Sequence, residues 1–218
     1  MSKAIIFDTE TTGINEPEIV EAAWLRPASF ECSDVIEESE KFKPSKPIEL
    51  GAMAVHHIMD EDLVNCRPSS SFSLPDGTEY LIGHNVDFDW GAIGKPDVKR
   101  ICTLALSRYL WPDIDSHSQS AMLYFLDRDN ARERLVHAHS AAVDVSNCHI
   151  ILQHIVRRLP EVTSWEKLWL CSEKARIPKV MPFGKHKGTP IEKLPADYRA
   201  WLLRQPDIDQ YMRKALTQ

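Results

Sequence analysis

Two carboxylates two residues apart, at the end of an apolar run, are the first groups in this chain that could do chemistry. The run is Ile5-Ile6-Phe7, and it leads straight into Asp8-Thr9-Glu10-Thr11-Thr12-Gly13. Read as one short buried strand, it puts Asp8 and Glu10 on the same face, because side chains alternate along a strand. Two like charges that close repel unless a proton or a cation lies between them. Hard oxygen ligands at a strand end are therefore half of a site for Mg²⁺ or Mn²⁺. A strand running into an acidic turn, with Thr12-Gly13 making the bend, is the ordinary explanation of the same residues. Further carboxylates decide between the two.

Three later segments supply candidates. His84-Asn85 opens a polar turn after the apolar Tyr80-Leu81-Ile82-Gly83, and Asp89 follows it just inside a helix. His139 precedes Asp144 by five residues, and Asp144 stands at the start of a long amphipathic segment. Taken singly, each has a plain reading. A carboxylate in the first turn of a helix is favoured by the helix dipole. A histidine in the loop His137-Ala138-His139 is ordinarily just exposed. Near the end, Phe183-Gly184 and Lys187-Gly188 suggest a hairpin-like turn presenting Lys185, His186 and Lys187. Such a turn could meet phosphate or simply be solvated.

The elements that must position these groups read as α/β. Ile5 to Phe7, Glu18 to Leu25 and Phe30 to Phe42 form three strands with tight connections, hence an antiparallel meander. Glu21, on the second strand, lies near the acidic cluster or faces solvent. Ile48 to Val64 has helical spacing, with Leu50, Met53, Ala54 and Ile58 on one side and a second start at Asp60 as N-cap. Residues 66–77, rich in Ser and Pro, read as a loop. A strand from Glu79 to Gly83 passes through the His84 turn into a helix, the usual way an α/β sheet exposes residues at strand C-termini. Arg100 to Leu104 is another buried strand. Helices follow at Ala105 to Leu110 and Gln119 to Phe125, then a polar connection from Asp127 to Leu135. Val143 to Leu159 is the clearest amphipathic helix, with Val145, Cys148, Ile151, Ile155 and Val156 on its apolar face, and Pro160 ends it. Ser164 to Lys174 reads as a linking helix.

Composition sets bounds. The 218 residues are 43% hydrophobic and 27% charged with a net charge of -6, as expected of a water-soluble globular chain. The charge argues against a strongly basic nucleic-acid coat but not against an enzyme that holds phosphate through metal ions, whose site needs acidic residues. Five cysteines, Cys32, Cys66, Cys102, Cys148 and Cys171, form no C-x-x-C pair, so neither a zinc ribbon nor a disulfide framework is indicated. With no signal peptide and no membrane-length apolar run, the expected location is the cytoplasm.

The ordered set Phe7-Asp8-Thr9-Glu10-Thr11-Thr12-Gly13, His84-Asn85-x-x-Phe88-Asp89 and His139-x-x-x-x-Asp144 resembles the three exonuclease motifs of the DnaQ-like superfamily, in its DEDDh branch. A tyrosine branch would carry Tyr-x-x-x-Asp in the third motif. The tail, Met181-Pro-Phe-Gly-Lys-His-Lys-Gly188 followed by Ile191 to Leu194 and Tyr198-x-x-Trp201-Leu202, is similar to the C-terminal module of exonuclease X, as are Ile48 to Ile58 and Leu110-Trp111-Pro112. The resemblance implies an RNase H-like fold, a mixed five-stranded sheet flanked by helices, with an exonuclease domain at 1–160, a linker at 161–180 and a small C-terminal module at 181–218.

It also implies a function. The expected activity is 3′→5′ hydrolysis of DNA to nucleoside 5′-monophosphates with two Mg²⁺ or Mn²⁺ ions. An exoribonuclease of the same fold, RNase T-like or oligoribonuclease-like, is the alternative. In the family arrangement Asp8 bridges both ions, Glu10 and Asp144 complete the one carrying the attacking water, Asp89 holds the second through water, and His139 takes the proton. Two such ions about 4 Å apart stabilise both the attacking and the leaving oxygen, and an imidazole titrates near working pH. A loop position would let His139 swing in with substrate. Thr9 and Thr11 would cradle the terminal sugar, and His56 would pack near the terminal base, His57 standing where the family has glycine. His84 and Asn85 would lie on the scissile-phosphate side, and Lys185 and Lys187 would contact the nucleic-acid backbone.

Overall fold

The structure, a computed structural model, describes residues 3–30 and 35–218. Five strands form one sheet in the order β3-β2-β1-β4-β5: β1 Ala4–Thr11, β2 Ile19–Pro27, β3 Val35–Lys41, β4 Tyr80–Gly83 and β5 Lys99–Cys102. β2 runs antiparallel to both β1 and β3, the meander expected from their short connections. β4 and β5 run parallel to β1, so the sheet is mixed. Part of the expected third strand, residues 31–34, lies outside the described residues.

β1 is the centre. Ala4, Ile5, Ile6 and Phe7 are all 0% exposed, so four successive residues are covered on both faces of the sheet. That is why the run is continuously apolar rather than alternating. Burying each large side chain contributes roughly 1.5–3 kcal/mol, which fixes the strand that carries Asp8 and Glu10.

The helices are α1 Leu50–His56, α2 Asp87–Ala92, α3 Thr103–Leu110, α4 Gln119–Leu126, α5 Arg128–Arg134, α6 Ala141–Arg158, α7 Trp165–Ala175, α8 Ala196–Leu203 and α9 Gln210–Thr217. The long α6 buries Val145, Cys148, Ile151, Leu152 and Ile155 and packs on β1, β2, α3 and α4. No helix among the described residues is long and apolar enough to cross a membrane.

Local structure departs from the expectations of the sequence in three places. The helix expected over Ile48 to Val64 stops at His56, because His57 turns left-handed (φ 59) and returns its N–H to Met53 O. Leu50 is 82% exposed and Ala54 is exposed, so of the expected apolar side only Met53 and Ile58 pack inward, with Val20, Ile48 and Leu63. Asp60 does not cap: its carboxylate accepts from Ile48 N, and the 3₁₀ turn Asp60–Leu63 is closed by Asp62 accepting from Met59 N. The polar connection after α4 is helical, as α5. The Ser/Pro-rich loop adds a short 3₁₀ turn and sends Phe72 against Phe7 and Phe42.

The chain divides into two compact units, Met1–Ser172 and Glu173–Gln218. The division falls inside α7, within the stretch expected to be a linker. The second unit has its own core of Met181, Ile191, Leu194, Leu202, Met212, Ala215 and Leu216. Its entry is the expected hairpin-like turn: Met181 N donates to Thr189 O and Gly188 N to Met181 O.

Candidate active site

Asp8 and Glu10 leave β1 on one face. In the β1–β2 ladder Asp8 pairs with Ala23 and Glu10 with Glu21. Residues directly opposite in an antiparallel pair share a face, so two glutamates stand together there, a pairing that repels. A ladder irregularity follows at once, between Glu10 and Thr11. Asp144 joins from α6. One ligand oxygen from each of Asp8, Glu10 and Asp144 lies within 4.8 Å of the other two.

Glu21, for which the sequence leaves both cluster and solvent open, is buried, 7% exposed. Its Oε2 accepts from Ala141 N at 3.1 Å, the first N–H of α6. Ser140 precedes the helix but makes no side-chain cap bond. The cap therefore comes from β2, and it ties the start of α6 to the strand that faces Glu10. Counting by two along β2 from an assumed hairpin register would have found it.

Asp144 is held by two further donors. Its Oδ2 accepts from His139 N at 3.1 Å and its Oδ1 from Gln119 Nε2 at 3.2 Å. The same Gln119 amide donates to Asp144 O at 2.8 Å, so α4 braces the first turn of α6. His139 is exposed and has a left-handed backbone (φ 69), which bends the chain into α6 and turns its N–H onto the carboxylate. Gln119 carries no sequence signal for this role, since its partner is 25 residues away.

Asp89 arrives from the other side of β1. The parallel β1–β4 pairing stops at Ile6↔Ile82. Beyond it the Thr9 N–H donates to Asp89 Oδ1 at 3.0 Å, and Thr9 Oγ1 donates to the same oxygen at 2.8 Å. Gly83 lets the turn into α2 lie close: a Cβ there would sit 3.1 Å from Phe7 O. His84 secures that turn. Its Nε2 donates to His117 O at 2.8 Å, so Nδ1 of the neutral ring accepts from Thr103 Oγ1 at 2.9 Å. Burial lowers the His84 pKa to about 4, which keeps the ring neutral.

The electrostatics follow from this crowding. Burial, then Asp144, Glu21 and Asp89, push Glu10 up to about 8. Burial raises Asp8 well above the usual carboxylate range, with Asp89, Asp144, Glu10 and Glu21 adding to it. Asp89 rises to about 7 through burial, against the two Thr9 hydrogen bonds that favour its charged form. Asp144 is raised by burial and partly restored by His139. Four acids held in an environment that disfavours their charge fit a divalent cation, whose charge would reverse that penalty.

Several expected substrate contacts are committed within the protein. Thr9 holds Asp89. Thr11 Oγ1 donates to Gly13 O at 2.9 Å. His56 is buried, accepts Ile58 N at Nδ1 and donates from Nε2 to Thr11 O. His84 is fixed as described. These four brace the end of β1 and the turn into α2, whereas Asn85 (left-handed, φ 79), Lys185 and Lys187 are exposed.

Comparison with known proteins agrees with this frame. The chain is 28% identical to exodeoxyribonuclease 10 of Escherichia coli K12 over 216 residues, covering 93% of this chain and 91% of that one. It is 26% identical over 174 residues to a PolC-type DNA polymerase III of Oceanobacillus iheyensis, covering 72% of this chain and 12% of that one. Among solved structures it is similar to exonuclease X in complex with 5′-overhanging duplex DNA, with TM-score 0.64 and 28% identity, covering 78% of this chain and 99% of that one. An Escherichia coli exonuclease I–single-stranded DNA complex, at TM-score 0.60 and 18% identity over 80% of this chain and 43% of that one, shares the fold. A family model described as "Putative quorum-sensing-regulated virulence factor" matches residues 174–206. The RNase H-like fold and the resemblance to DnaQ-like exonucleases, with exonuclease X among them, hold in both sequence and structure.

Proposed function

We propose that this chain is a metal-dependent exonuclease that removes nucleotides from DNA 3′ ends as nucleoside 5′-monophosphates. The observation that carries this reading is the convergence of Asp8, Glu10 and Asp144, whose ligand oxygens lie within 4.8 Å of one another. Asp89 stands near enough to raise Asp8 by its charge. The relatives and structural neighbours named above are enzymes of DNA, which supports DNA over the RNA alternative.

In this reading Asp8, Glu10, Asp89 and Asp144 would hold two divalent ions, Mg²⁺ or Mn²⁺. When bound, such ions neutralise charge developing on the attacking and leaving oxygens of the phosphodiester. His139 is the base. A proton of the attacking water passes to its ring, the freed lone pair attacks phosphorus, and the bond from phosphorus to the 3′ oxygen of the preceding nucleotide breaks. Its electron pair stays on that oxygen, which takes a proton from solvent water to become the new 3′-hydroxyl. The released mononucleotide keeps the phosphate. His139 N, bonded to Asp144 Oδ2, keeps that loop in register with the carboxylate. Thr9 fixes Asp89, and Glu21 and Gln119 fix the first turn of α6. His56 and Thr11 shape the end of β1, and His84 shapes the turn that exposes Asn85 toward substrate.

The test is hydrolysis of matched end-labelled DNA and RNA oligonucleotides, single- and double-stranded, with and without EDTA. DNA shortened stepwise from its 3′ end only when metal is present is the expected result. Asp8→Ala should abolish it while leaving the circular dichroism unchanged. Retained cleavage by that variant, or cleavage in EDTA, would overturn the assignment.

A further inference from the structure

The two units carry opposite charge. Residues 173–218 contain ten Lys and Arg against five Asp and Glu, in a chain whose net charge is -6. The rest of the chain is therefore strongly acidic, with 16 basic residues against 27 acidic ones. An acidic body repels a polyanion except where bound cations intervene, so a separate basic unit is where phosphate attraction would concentrate.

That unit also has an aromatic ledge. An open groove of about 590 Å³ is lined by Lys185, His186, Pro195, Asp197, Tyr198 and Trp201, with Gly184. Tyr198 and Trp201 lie one turn apart on α8, ring centroids 5.5 Å apart and planes 27° from parallel. His186 packs on Tyr198 at 4.4 Å, and Lys185 Nζ sits 5.3 Å from the Tyr198 ring centre. Gly184 makes the approach possible: its φ is +67, and an added Cβ would lie 3.3 Å from the Tyr198 hydroxyl. The unit's core is complete without Trp201, since Leu202, the next residue on α8, fills it. Trp201 is 47% exposed and Phe183 49%. A surface tryptophan stacked on a tyrosine, beside lysines, has little packing reason to exist. It matches how proteins hold unpaired nucleotides, by aromatic faces under bases and cations along the backbone.

We propose that the C-terminal unit carries a stacking site for single-stranded DNA, with an unpaired base on Trp201 beside Tyr198 and the flanking phosphates on Lys185 and Lys187. This extends the nucleic-acid reading above, which it needs for its ligand class but not for cleavage. Lys185 offsets Asp197, the one acid lining the groove, and Lys187, two residues on and exposed, adds a further positive charge beside it.

The experiment is fluorescence anisotropy of the full-length protein in EDTA, where nothing is cut. The probes are labelled oligothymidylate and an abasic strand of equal length and charge. Trp201→Ala should weaken oligothymidylate binding roughly 5- to 150-fold, the range for one stacked base, and leave the abasic strand unchanged. Trp201→Phe should restore most of the loss. Lys185→Ala with Lys187→Ala should weaken both probes and flatten the salt dependence. Unchanged oligothymidylate affinity in Trp201→Ala, or an equal loss on both probes, would overturn the site. So would a Trp201→Phe protein no better than Trp201→Ala. If Trp201-dependent binding is found in a protein that cuts no DNA, the nuclease reading fails and the stacking site stands. If DNA is cut but binding does not depend on Trp201, the stacking site falls and the nuclease reading stands.

Discussion

Asp89→Asn should make the metal-free protein more stable and leave it inactive. Asparagine keeps the oxygen that accepts from Thr9 N and Thr9 Oγ1, so geometry is preserved and only the charge is removed. The wild-type carboxyl is 5% exposed and pushed from 3.8 up to about 7. The sign follows from proton counting. Below about pH 4 the group is protonated folded and unfolded, and costs nothing. Between about 4 and 7 the unfolded chain has lost the proton and the folded chain keeps it, so wild-type stability falls as pH rises. Above 7 the penalty is constant, at about 4 kcal/mol for a shift of roughly three pH units. Near pH 5 it is only about 1.5 kcal/mol by the same conversion. Protons shared with Asp8 relieve part of this, so both figures are ceilings. For a chain of this size each kcal/mol moves the melting temperature by about 2–4 °C. Asp89→Asn should therefore melt up to about 8–16 °C above wild type in EDTA near pH 8, and only a few degrees above it near pH 5. Millimolar Mg²⁺ should shrink or invert the pH 8 gap, because ligand binding stabilises the wild-type site. Thermal melts at both pH values, with EDTA and with Mg²⁺, are the assay. A gap in EDTA that does not change with pH, or a variant less stable than wild type near pH 8, would refute the charge-strain reasoning.

His139→Ala should lower the single-turnover rate by roughly 10²- to 10⁴-fold, the size expected of a general base, with DNA affinity in EDTA unchanged; an unaltered rate makes His139 a bystander. Glu21→Gln retains an oxygen for Ala141 N, so its melting temperature in EDTA and its turnover should stay near wild type or above. Glu21→Ala orphans that N–H at a cost of about 1–3 kcal/mol and should lower turnover by loosening Asp144. Equal behaviour of the two Glu21 variants in melts and turnover would remove the capping role.

The sequence alone determined the local facts of this protein. Asp8 and Glu10 share a face because strand geometry has a period of two, and Ile5 to Phe7 had to be buried for want of any polar group. The amphipathic period of α6 set which side packs, and the polar turn after Gly83 put Asp89 at a helix start. The order of the three motifs carried the resemblance, and with it a sheet whose strands pair as expected. What the tertiary structure alone decided is everything that depends on register between distant segments. Glu21 became a helix cap because it stands opposite Glu10 across a ladder and beside the start of α6, 120 residues on. Thr9, expected from the resemblance as a sugar contact, also clamps Asp89, because the β1–β4 pairing stops at Ile6↔Ile82 and its N–H meets the Asp89 carboxylate beyond it. His56 and His84 went inward for the same kind of reason, each ring having two partners from segments that no local pattern links to it. Hydrogen-bond partners and the charge crowding that raises Asp8 and Glu10 arise only when segments meet, so no window of residues encodes them.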